Sequence, residues 1–122
     1  MKGQLAAVPG GRPRGVAVAT TPAGERHGLP ALMAAACLRE DHWLVHHLAA
    51  DLPVAEVTRL AAQVGAGLVV LSSATTPGAR RARAAAREIT AALPGVTVLA
   101  GRPGDSLYDL RAMAAGLSPR GA

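Results

Sequence analysis

Four short apolar runs of β type alternate along this chain with stretches whose apolar residues fall at helical spacing. The runs are GVAVAT at 15–20, WLVHHL at 43–48, GLVVLSS at 67–73 and GVTVLAG at 95–101. The stretches are LPALMAAACLRE, PVAEVTRLAAQV, GARRARAAAREITAALP and SLYDLRAMAAG. Strands and helices joined by connections of a few residues require right-handed crossovers, which make the strands parallel and lay helices on both faces of the sheet. The chain is therefore expected to be an α/β protein with three layers.

Length and composition sharpen this. With 122 residues the chain holds one domain. Its aromatic residues are only Trp43 and Tyr108, so Ala, Val and Leu must fill the core. Val54, Val57, Leu60, Ala61 and Val64 form one such stripe. Ser106 with Asp109 three residues on resembles a helix capping box, and Gly116 is a stop. The domain is expected at 15–116, after a Gly-, Pro- and Arg-rich lead-in or linker at 1–14 and before a tail at 117–122. The pattern suits a flavodoxin-like (Rossmann-like) parallel sheet of four strands, with the fifth strand and helix missing. GVTVLAG would then be an open edge for a second copy or a partner chain.

Several function classes are disfavoured. The formal charge is +5, but its thirteen basic residues include only one lysine, Lys2, in a chain rich in Ala and Gly, which reads as codon bias rather than a nucleic-acid footprint. In RRARAAAR, Arg80, Arg83 and Arg87 share a helix face opposite Ala82, Ala85 and Ile89, as a solvated face does. Cys37 is the single cysteine, no run reaches the ~18 apolar residues of a membrane span, and no signal peptide is visible, so a cytoplasmic protein without membrane contact is expected. His46 and His47 are adjacent and would point to opposite faces of a strand, and His42 lies in a polar turn. Ser72 and Ser73 have no histidine partner, and TTPAGERHG lacks the spacing of a phosphate loop, so no catalytic residue is assigned and the chain is not expected to be an enzyme.

Open parallel sheets bind ligands beyond the carboxyl ends of their strands, beside the point where strand order reverses. That rule selects TTPAGERHGLP at 20–30, SSATTP at 72–77 and GRPGD at 101–105. Glu25 and His27 in the first loop have the spacing of a metal-ligating imidazole and the carboxylate that takes its other ring proton. The crevice supplies one histidine and no cysteine, too few for a zinc or iron site of three or four protein ligands. One ligand suffices where a corrin or porphyrin completes the coordination sphere.

Glu25-Arg26-His27-Gly28-Leu29-Pro30 resembles the D-x-H-x-x-G motif of cobalamin-binding domains, in the E-x-H form of MerR-type light- and cobalamin-responsive regulators. LVVLSSATTP is similar to the family's S-x-L strand and loop, and VTVLAGRPG to the strand ending in G-G. The resemblance spans about residues 15–115. It implies His27 as the lower cobalt ligand in place of the cofactor's own dimethylbenzimidazole, with Glu25 orienting it. Ser72 would bond the displaced tail, and Gly101 would let backbone approach it. Pro30, Ala74 and Arg102 depart from the motifs, and Gly78 stands where methyltransferase relatives carry a relay serine, so that the third member of the relay is missing or supplied by Thr76. The cofactor implied is adenosylcobalamin or methylcobalamin.

The expected function is a cobalamin-binding sensor module, reaching DNA only through a domain absent from this chain. The alternatives are a corrinoid carrier for methyl transfer and a cofactor-free interaction module.

Overall fold

The computed structural model describes residues 13–101 and 107–116. Eight elements alternate: β1 (Val16–Thr20), α1 (Leu29–Glu40), β2 (Leu44–His47), α2 (Val54–Val64), β3 (Leu68–Leu71), α3 (Thr76–Ala92), β4 (Thr97–Ala100) and α4 (Leu107–Ala115). All neighbouring strands are parallel, in the order β2-β1-β3-β4. This is the flavodoxin-like three-layer architecture, with four strands among the described residues. Most of lead-in 1–14, Arg102, Ser106 of the expected capping box and tail 117–122 lie outside the described residues.

The alternation of side chains along each strand divides the core in two. Ala17 and Ala19 of β1 join Ala34, Ala35 and Leu38 of α1, Trp43, and Leu110 and Ala114 of α4 on one face. Val18 points the other way, to Val57 and Ala61 of α2 and Ala82, Ala85 and Ile89 of α3. Small alanines on sheet and helix let the layers approach closely, with Trp43 the one aromatic in the core of the described residues. At the surface, the Arg111 guanidinium of α4 grips Asp41, at the C-terminus of α1, through Nε at 3.0 Å and Nη2 at 2.6 Å.

Helix ends follow local chemistry. Gly65 closes α2 at φ +70°, a conformation favouring glycine, and Ala66 N–H returns to Ala61 O at 2.9 Å. Pro30 occupies the first turn of α1, where its missing N–H leaves no helical bond unmade. Helix α3 opens at Thr76, ahead of the expected Gly78, because Thr75 caps it by accepting from Gly78 N–H at 3.0 Å. The Arg80, Arg81, Arg83 and Arg87 side chains are exposed, while Ala82, Ala85 and Ile89 are buried. Cys37 is buried in α1. Trp43 precedes β2 rather than beginning it. His46 and His47 lie on β2, at a sheet edge, half-buried and exposed.

Candidate functional site

The strand order reverses between β1 and β3, and the loop leaving β1 carries Glu25 and His27 across the carboxyl end of the sheet. Bonds from distant segments hold this loop. Thr21 Oγ1 donates to Glu25 O at 3.1 Å and accepts from Asp51 N–H at 3.0 Å. Asp51 Oδ1 in turn accepts from Gly24 N–H at 2.6 Å, and Arg81 Nη2 of α3 donates to Gly24 O at 3.3 Å. Loops after β1 and β2 and helix α3 thus fix one another.

Glu25 is only 2% exposed, whereas the His27 side chain is 69% exposed. Glu25 Oε2 lies 2.7 Å from His27 Nδ1 and accepts the His27 backbone N–H at 3.3 Å. Its other oxygen, Oε1, accepts from Thr75 Oγ1 at 3.3 Å. Burial pushes the Glu25 pKa up, but the bonds from the His27 ring and backbone, the ring's charge and the Thr75 hydroxyl outweigh it, so the carboxyl titrates below its ordinary value. An ionised carboxylate accepts only, which makes Nδ1 the protonated nitrogen of a neutral ring and leaves the Nε2 lone pair for a ligand.

This direction fixes a pH dependence. A carboxyl with a depressed folded-state pKa stabilises the fold above its unfolded value, ~4.3, and the contribution disappears as pH falls through the lower folded value. Glu25→Gln is therefore expected to flatten the acid limb of stability, measured by urea unfolding at a series of pH values. An unchanged acid limb would show that Glu25 does not set it.

Beside this pair lies a crevice of about 410 Å³, lined by Leu29, Pro30 and Met33 of α1, by Ser72, Ser73 and Gly101 after β3 and β4, and by residues of β3, β4 and α4. The expected residues thus fall into two neighbouring groups: Glu25 and His27 form the polar pair, and Ser72 and Gly101 line the crevice. A Cβ on Gly101 would stand 3.5 Å from Leu71 O and 3.8 Å from Ser72 Cα, ordinary contacts, so the fold itself does not demand glycine there. Thr76 belongs to neither group: its side chain is exposed in the first turn of α3, and the hydroxyl on Glu25 comes from Thr75. Ala74 is exposed.

Ser73, expected to face the crevice but given no role from sequence, lines it as a buried residue and donates to Gly101 O at 3.4 Å. Its signal was its position at the carboxyl end of β3. Among the described residues no three His, Cys, Asp or Glu converge as a metal site, so His27 stands as a single protein ligand at most. No helix among them is long and apolar enough to cross a membrane.

The family model described as B12 binding domain matches residues 15–116. Among solved structures, the methanol:cobalamin methyltransferase complex of Methanosarcina barkeri aligns with a TM-score of 0.72 and 17% identity, covering 96% of this chain and 52% of that one. A cobalamin-binding protein from Desulfitobacterium hafniense aligns at 0.66 and 18%, covering 83% and 50%. The chain thus spans about half the length of both, and at such identities they share its fold. No curated protein sequence matches.

Proposed function

The chain belongs to the B12-binding domain family, and from that premise we propose that it is a cobalamin-binding sensor module in which His27 supplies the lower cobalt ligand. The observation that carries the proposal is the exposed imidazole whose Nδ1 is held at 2.7 Å by a buried carboxylate. Such a pair fixes the tautomer and raises the basicity of the outward nitrogen. Cobalamin is the family's cofactor, and the residues present fit it. The single imidazole suits a metal whose other positions a corrin fills, and the crevice lined by Ser72, Ser73 and Gly101 offers an elongated tail a place beside it.

In this reading Glu25 orients His27, Ser72 hydrogen-bonds the tail, and Gly101 keeps its wall low. Bound cobalamin supplies the photochemistry or redox change. The protein supplies orientation and a surface that responds, and action on DNA passes through a separate domain. The edge of β4, where Thr97, Val98, Leu99 and Ala100 are half-buried, is the place for a second copy or a partner chain to join. Glu25, in place of an aspartate, and Gly78, in place of a relay serine, support kinship with MerR-type regulators.

The carrier reading, in which the bound corrinoid passes a methyl group between methyltransferase partners, draws its support from the Methanosarcina barkeri structure, itself a methyltransferase complex. One experiment separates the two. Protein is loaded in the dark with adenosylcobalamin or methylcobalamin and desalted, and its sedimentation is compared for apo, dark and illuminated samples. The sensor reading expects retained colour and a change of assembly with cofactor or light. Retained colour with one unchanging assembly would favour the carrier, and colourless protein would overturn both.

A further inference from the structure

A buried carboxylate needs donors on both oxygens. Glu25 Oε2 has two, from the His27 ring and backbone, and Oε1 receives the Thr75 hydroxyl at 3.3 Å. That hydroxyl accepts from Gly78 N–H at 3.0 Å, so its own hydrogen is directed toward Glu25. The bonds therefore run one way, from the first turn of α3 through Thr75 to Glu25, with His27 Nδ1–H donating from the other side.

Space reinforces the arrangement. A Cβ built on Gly78 would overlap Glu25 Oε1 outright and would stand 2.9 Å from Thr75 Oγ1 and 3.0 Å from Ser73 Cβ. Residue 78 can carry no side chain while the Glu25 carboxylate is in place. A glutamate reaches one methylene further than an aspartate, and the volume its tip occupies is the volume that a side chain on residue 78 would need.

We propose that Thr75 is a positioning residue that holds the Glu25 carboxylate against His27, and that Glu25 and Gly78 are matched in size, so that neither can be changed alone without releasing the imidazole. His27 orientation is thereby tied to Thr75, the cap of α3, fifty residues beyond Glu25 in sequence. The consequence for cobalt ligation rests on the cobalamin reading, but the positioning itself can be tested in the apo protein.

The full chain, labelled with 15N at histidine, is examined by long-range proton–nitrogen NMR across a pH series, as wild type and as Thr75→Ala, Thr75→Ser, Gly78→Ala and the double variant Glu25→Asp with Gly78→Ala. The neutral His27 ring of the wild type is expected in the Nδ1–H form. Thr75→Ala should shift the tautomer ratio toward Nε2–H by roughly five- to tenfold, the worth of one hydrogen bond, and Thr75→Ser should restore it. Gly78→Ala should expel the carboxylate and produce a larger shift, and shortening the acid in the double variant should recover most of it. The Gly78 pair keeps the test decisive should Thr75→Ala fail to fold.

The same variants are titrated with aquocobalamin. Loss of either support is expected to weaken binding by about 10- to 100-fold, the usual effect of removing a group that orients a metal ligand. A wild-type tautomer ratio in Thr75→Ala, or a double variant no better than Gly78→Ala, overturns the proposal. Failure of the wild type to bind cobalamin with the tautomer shifts intact would instead overturn the functional reading and leave the positioning standing.

Discussion

His27→Ala is expected to weaken cobalamin binding on the order of 100-fold or more, read by absorbance titration, with only a modest loss of thermal stability. Removing a group that merely orients a metal ligand costs about 10- to 100-fold, so removing the proposed ligand itself should reach at least the upper end. The stability forecast has a separate cause. The His27 side chain is 69% exposed, so its own packing contributes little, and the cost is that of taking the ring donor from the buried Glu25 carboxylate, about 1–3 kcal/mol. The variant would also take the ring's bond and charge from Glu25 and leave its burial, so its carboxyl should titrate higher than in the wild type. Unaltered binding in a folded His27→Ala protein would remove His27 from the site.

Leu38→Ala is expected to have the opposite profile, a large loss of stability with no direct contact to the site. Leu38 is fully buried among Ala17, Ala19, Ala34 and Trp43, and its carbonyl accepts from both Asp41 N–H and Trp43 N–H at 3.0 Å. In a core so rich in alanine the few large side chains fill a disproportionate share of the volume, and neighbouring alanines have no length to collapse into a void. The cost should therefore approach ~4 kcal/mol, within the range for buried leucines. For a domain of this size that lowers the unfolding midpoint by roughly 15 °C or more. Leu32→Ala, at a position 48% exposed on the same helix, should cost far less. Equal thermal shifts for the two variants would contradict the assignment of the core.

The strands were legible because parallel strands buried on both faces are continuous apolar runs, and VAVAT and LVVL are buried throughout or nearly so. The helices were legible from the spacing of small apolar residues, with α3 the exception at its start. There a threonine cap followed by a proline at the first helical positions carried the signal, and the apolar periodicity beginning at Gly78 overrode it. The position of the candidate site followed from the strand order alone. Its depth did not: a glutamate in a loop reads as solvated, and Glu25 is buried because Thr75, fifty residues on, supplies a donor that no local pattern announces. For the same reason the hydroxyl was sought at Thr76, one residue from where it stands. Ser73 falls within the selected segment SSATTP but was given no role, because a serine pair after a strand does not reveal which of its members faces inward.

The central claim is that a protein imidazole, rather than the cofactor's own base, ligates the cobalt. Electron paramagnetic resonance of the protein loaded with cob(II)alamin tests it directly, using chains grown with 14N- or 15N-labelled histidine. Each cobalt line should be split into a triplet by natural-abundance histidine and into a doublet by the labelled protein, with the splitting lost or restored to the cofactor's own triplet in His27→Ala. A triplet that persists in the 15N-histidine protein would show the dimethylbenzimidazole still on cobalt and contradict the account.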